Sequence, residues 1–211
     1  MDIRSALFVS LLTIGTAAHA SGFYVLGSAG QADTSLKDVS KDELDGYLQY
    51  KSLLSGNDYT SKLDRSDTGY KAQVGYQFNE NFAVEGGYTN LGEAKYTFTF
   101  ANGSSSESGH LTYKSKGWNV DALATLPVNA GVSLFGKLGL IHAETKFSGG
   151  NLDSQKTTKN APLFGAGVAW NFYRGLSARA EWERYFNLAV GGDLKTNINI
   201  DLYSVGLSYR F

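Results

Sequence analysis

Few residues in this chain have the chemistry to catalyse or to hold a metal, and they are widely spaced. There are three histidines and no cysteine. The missing thiols remove disulfide frameworks, zinc–thiolate centres and a lipidated cysteine anchor. His142 and Glu144 lie two apart, with Ser148 shortly after. Histidine, carboxylate and hydroxyl are the groups an activated nucleophile needs. A spacing of two puts His142 and Glu144 on one face of a strand. Ser148 falls in what reads as a loop, so the set stays incomplete and no catalytic residue is assigned. His110 stands in Ser104-Ser-Ser-Glu-Ser-Gly-His110 without ligand spacing around it. No metal and no cofactor is expected there. Between residues 32 and 67, eight acids (Asp33, Asp38, Asp42, Glu43, Asp45, Asp58, Asp64, Asp67) meet five bases (Lys37, Lys41, Lys51, Lys62, Arg65). That run reads as a solvated acidic segment.

The elements that would position such groups are set by composition and pattern. The 211 residues leave room for one domain or two small ones. Nineteen basic against twenty acidic residues give a net charge of -1, so no drive toward nucleic acid follows. Apolar residues make up 42% and mean hydropathy is -0.23, values of an ordinary soluble domain. No apolar run reaches the roughly 18 residues of a membrane helix. Two surpluses stand out, 25 Gly and a combined 13 Tyr and 12 Phe. At the N-terminus, Arg4, the apolar stretch from Ala6 to Ala18 and the Ala18-His19-Ala20 site read as a cleaved signal peptide over residues 1–20. One mature domain over 21–211 follows, and His19 leaves with the signal.

Strict alternation fills the mature chain, which is the pattern of half-buried strands. Eight runs are predicted, at 22–31, 67–78, 82–92, 116–127, 131–146, 161–172, 175–187 and 198–211. Asn79-Glu80-Asn81, Val128-Asn129-Ala130 and Tyr173-Arg174-Gly175 read as tight turns. The links at 32–66, 93–115, 147–160 and 188–197 read as long loops. Within the first, a Ser40–Glu43 capping box followed by Leu44, Tyr47, Leu48 and Lys51 predicts a short helix. Short and long links alternate, as in an antiparallel up-and-down barrel with its long loops at one end.

The apolar face decides between a soluble and a transmembrane barrel. Phe23, Val25 and Ala29 share one face of the first strand, and Val132, Leu134, Leu138 and Leu140 one face of the fifth. The opposite faces carry Lys71, Glu85, Asp121, Lys137, Arg179, Glu181, Glu183 and Arg210, four charges of each sign. A soluble barrel would bury those charges in a ligand pocket, which is costly. An all-β, eight-stranded transmembrane barrel puts them in a narrow lumen as a paired network, with Gly relieving the crowding. Placing Leu126 opposite Val132 across the turn sets Asp121 opposite Lys137. On such a barrel His142 and Glu144 lie on the lipid side, at the headgroup level.

The stretch Gly69-Tyr-Lys-Ala-Gln-Val-Gly-Tyr-Gln-Phe-Asn-Glu-Asn-Phe-Ala-Val-Glu-Gly-Gly-Tyr88 resembles the OmpA-like transmembrane barrel family. So do Ser133-Leu-Phe-Gly-Lys-Leu-Gly139, Arg179-Ala-Glu-Trp-Glu-Arg-Tyr185 and Ser204-Val-Gly-Leu-Ser-Tyr-Arg-Phe211, and together the likeness spans 21–211. The resemblance implies a Gram-negative outer-membrane protein with four extracellular loops. It implies no enzymatic activity, and a structural, envelope-integrity or surface-interaction role; a small gated porin-like diffusion channel is the alternative. It also implies that Tyr203, Val205, Leu207, Tyr209 and Phe211 form the signal read by the barrel-assembly machinery. Implied partners are outer-membrane lipid and lipopolysaccharide, the latter also reachable through divalent bridging from the acidic first loop. A monomer or weak oligomer is expected. Because the sequence ends on the last strand, a cell-wall tether is not expected.

Overall fold

The computed structural model describes residues 21–36, 46, 49–50, 58–102, 105–129, 131–149, 152–189 and 197–211. The predicted signal peptide lies outside the described residues. Among the described residues nine strands follow in order: β1 (Gly22–Leu36), β2 (Asp58–Asp64), β3 (Ser66–Gln77), β4 (Phe82–Asn102), β5 (Ser105–Asn129), β6 (Val132–Gly149), β7 (Leu152–Tyr173), β8 (Leu176–Ala189) and β9 (Asn197–Arg210). Neighbours pair antiparallel, and β1 pairs with both β3 and β9. The sheet therefore closes on itself. Both β2 and β3 pair with β4, one above the other, so they form a single stave broken at Arg65. The barrel has eight staves, as the alternation predicts.

Several strands run beyond their predicted ends. The β4–β5 ladder continues to Asn102 opposite Ser105, and β6–β7 to Gly149 opposite Leu152. The predicted loops 93–115 and 147–160 are thus mainly strand. Their Ser, Gly and Thr content resembles a loop, but Tyr96, Thr97, Phe98 and Thr99 favour a pleated surface and find cross-strand partners. The Tyr113 and Phe147 rings lie 5.0 Å apart, and the Thr99 and Ser108 hydroxyls share a 2.9 Å hydrogen bond. His110 sits in this hairpin opposite Thr97, and Ser148 lies in β6, so neither is a loop residue. In the first link, β1 reaches Leu36 and β2 occupies 58–64. Gly46, Gln49 and Tyr50 are helical, while Ser40, Glu43, Leu44, Tyr47, Leu48 and Lys51 of the predicted helix lie outside the described residues.

The register around the β5–β6 turn differs from the predicted one. Leu126 faces Leu134, and Asp121 faces Gly139. The chain reverses after Asn129, with Gly131 at φ 84°. A two-residue hairpin turn needs a residue that tolerates positive φ, and glycine does so without steric cost. That requirement moves the turn and shifts the whole pairing by two residues.

The first and last strands meet at a close seam. Gly30 is lumen-facing and pairs with Ser204. A Cβ added to Gly30 would collide with the Tyr203 carbonyl oxygen and would sit 2.6 Å from the Ser204 Cα. Both are backbone atoms, so no side chain can rotate away. Gly30→Ala is expected to destabilise the barrel by about 1–3 kcal/mol, the usual range for overpacking. Urea unfolding in lipid vesicles, followed by gel mobility with and without boiling, reads that loss. An unchanged midpoint would show that the seam can spread.

Candidate functional site

Burial inverts that of a soluble protein. Leu138 is 69% exposed, Val120 68% and Val205 68%, whereas the neighbouring inward-facing Lys137 is 2% exposed and Glu183 0%. Phe23, Val74, Leu134, Val168 and Leu207 continue the exposed apolar belt around the wall. Period-two alternation produces this directly, because each strand turns its odd and even side chains to opposite sides. Such a belt around a polar interior is the outer face of a transmembrane barrel.

Inside, a buried charge layer crosses the lumen. Lys137 is its hub. Its Nζ lies 3.0 Å from Glu183 Oε1, 3.1 Å from Glu181 Oε2, 3.1 Å from Glu85 Oε2 and 3.9 Å from Asp121 Oδ2. Lys71 donates to Glu181 at 2.8 Å and also to Glu183. Arg179 Nη1 donates to Glu85, and its Nη2 lies 3.0 Å from Glu181 Oε1. The Tyr24 hydroxyl donates to Glu85 Oε1 at 2.6 Å. The Arg179 guanidinium stacks over the Phe135 ring, 4.4 Å from its centre. Buried charges persist only when paired and hydrogen-bonded in this way.

Seven of the eight predicted lumen residues join this layer: Lys71, Glu85, Asp121, Lys137, Arg179, Glu181 and Glu183. Arg210 does not; it lines a cavity of about 330 Å³ at the turn end, below Arg179. The layer itself therefore holds three cations and four carboxylates, not the even balance read from parity. Asp121 is the carboxylate served mainly by neutral donors, Asn119 Nδ2 and Gln73 Nε2, the latter at 3.2 Å. It contacts Lys137 diagonally rather than across the ladder, because of the shifted register.

A second inward layer, apolar and absent from the expected lumen residues, lies next to the charges. On the loop side of the charges, Leu91, Ile141, Leu163, Tyr185, Leu188, Ile198, Ile200 and Leu202 pack together, each at most 2% exposed. They form an apolar lid inside the barrel. Its signal was present in the sequence. The inward parity of the charged positions continues as Ile141 and Ala143 on β6, as Ala161 and Leu163 on β7, and as Ile198, Ile200 and Leu202 on β9. The charge layer and the lid are stacked, since Glu183 and Tyr185 are successive inward residues of β8.

The histidines stay apart from both layers. His142 is exposed on the outer wall, its Nδ1 2.6 Å from Asn160 Oδ1. Glu144 instead lies 3.6 Å from Lys156 and 4.0 Å from Lys116. The two share a face as predicted but are not partners. Among the described residues, no group of three His, Asp or Glu is placed to hold a metal. On the same wall, Arg184 forks onto Asp201 at 2.8 and 2.7 Å, and Trp182 Nε1 donates to it at 3.0 Å.

The aligned part of Outer membrane protein A of Klebsiella pneumoniae is 29% identical, over 77% of this chain and 46% of that protein. For Outer membrane protein A of Escherichia fergusonii the identity is 26%, over 94% of this chain and 54% of that protein. The chain thus spans about half the length of the curated relatives it matches. Among solved structures, Neisserial surface protein A superposes with a TM-score of 0.56 at 15% identity, covering 92% of this chain and all of that one. Ail, the attachment invasion locus protein of Yersinia pestis, solved in complex with the heparin analogue sucrose octasulfate, gives 0.50 at 21% identity, covering 90% and 99%. These two share the barrel fold. The model of the OmpA-like transmembrane domain matches residues 18–211, and with a closed eight-stave barrel around a charged lumen the chain belongs to that family.

Proposed function

We propose that this chain is a non-enzymatic outer-membrane barrel that supports envelope integrity and presents a binding surface at its loop end. The observation that carries this reading is the double closure of the lumen. A paired charge layer fills the middle, and an apolar lid covers it on the loop side. Eight staves already leave little more interior than side chains can fill. A wall of exposed apolar residues then anchors a sealed body in lipid. The exposed Tyr203, Val205, Leu207, Tyr209 and Phe211 fit the role of an assembly signal on the last strand.

Planar-bilayer recording of the refolded mature chain tests the closure. Silence is expected. Stepwise conductance that disappears on substituting Lys137 or Asp121 would favour the diffusion channel instead. Mass spectra of lipid A and phospholipid left unchanged by the purified protein would agree with the absence of catalysis. The orientation is tested by an impermeant amine reagent on intact cells, which is expected to label Lys62, highly exposed on β2 at the loop end.

A further inference from the structure

Lysines stand in register on the outer wall near the loop end. Lys114 on β5 faces Lys146 on β6, which in turn faces Lys156 on β7. Lys116, two residues below Lys114, faces Glu144. All four lysines are exposed, with the parity of Trp118, Val120, Leu138 and Leu140 rather than that of the lumen. Like charges directly opposite one another on a sheet repel. The fold nevertheless sets three ammonium groups side by side. Glu144 offsets only part of this charge, through Lys156 and Lys116. Glu93 opposes Lys114 in register but lies 3.9 Å from Lys95. Lys114 and Lys146 have no carboxylate partner among the described residues.

The depth of the row points to its ligand. Two residues below Lys116, Trp118 is 66% exposed and packs edge-on against Tyr88 at 5.5 Å. Exposed Trp and Tyr mark the headgroup level of a membrane protein. The lysines therefore stand at or just beyond that level, with the apolar wall of Val120, Leu138 and Leu140 beneath them. A free phosphate would satisfy the lysines alone. A phosphorylated lipid would satisfy both the lysines and the wall.

We infer that the Lys114–Lys146–Lys156 row, with Lys116, binds the phosphate groups of an anionic lipid in the loop-end leaflet. On the outer-membrane reading above, on which this rests, that lipid is lipopolysaccharide. The site requires no divalent bridge.

The experiment measures binding of bisphosphorylated lipid A to the mature chain in neutral detergent micelles with chelator present. Micelles have no sides, so failure here refutes the site and leaves orientation to the cell-labelling test. The triple variant K114Q/K146Q/K156Q is expected to bind about a hundredfold more weakly, from roughly fivefold per lysine. Its heat-dependent gel shift is expected to stay intact, because the three side chains are exposed. Glu144→Gln removes the competing carboxylate and is expected to tighten binding by about fivefold. Equal binding by parent and triple variant would overturn the site, as would equal binding of dephosphorylated lipid A. Displacement by inorganic phosphate at matching concentration would overturn the lipid assignment in favour of a soluble anion.

Discussion

Lys137→Met will destabilise the barrel by about 3–5 kcal/mol, the range for removing one partner of a buried ion pair. Lys137 contacts four carboxylates, and the layer around it holds one more carboxylate than cations. Without it, Lys71 and Arg179 remain against Glu85, Asp121, Glu181 and Glu183. The methionine keeps most of the volume, so the loss is electrostatic rather than a cavity. Urea unfolding in vesicles at neutral pH measures it. Adding Glu183→Gln removes one of the abandoned charges and is expected to restore on the order of 1 kcal/mol or more, as coupled neighbours do. A single variant as stable as the parent would mean that lumen water screens the carboxylates. In a planar bilayer the same variant is expected to stay silent, since the lid remains in place above the damaged layer. Conductance from this variant alone would show that the lid does not seal.

Tyr185→Ala is expected to cost a similar amount, about 3–5 kcal/mol, through a different cause. Tyr185 is fully buried in the lid, beside Leu163, Leu188 and Ile200. Truncation leaves a cavity that rigid β-staves cannot collapse to fill. Tyr185→Phe keeps the ring and is expected to lie within about 1.5 kcal/mol of the parent, as volume-conserving changes do. The unfolding midpoints of the two variants, side by side, check this. If alanine and phenylalanine lowered stability equally, the hydroxyl rather than the packing would be what matters.

Much of the barrel was legible in the sequence, for a local reason. A strand sends alternate side chains to opposite faces, so parity alone sorted Leu138 to lipid and Lys137 to the lumen. It placed all eight charged residues inside, although Arg210 lines the turn-end cavity instead of joining the buried layer. The ends of the elements were less legible. Residues 93–115 are rich in Ser, Gly and Thr, and only the partner strand shows that Tyr96 and Phe98 continue the ladder. The β5–β6 register departs from the simple pairing because one glycine, Gly131, sets where the turn reverses.

The architecture, the inward and outward faces and the types of charge enclosed all follow from local pattern. Each of these depends on a residue and its near neighbours along one strand. Which charges meet depends instead on the closed barrel. Lys137 gathers Glu85 from β4 with Glu181 and Glu183 from β8, and no spacing along the chain encodes that encounter. It also excluded Arg210 from the layer, stacked the lid on Glu183, and aligned Lys114, Lys146 and Lys156 across three strands. The reason is closure. A barrel's interior and its circumferential rows are set by register around the whole ring, and that register is a property of all eight staves together.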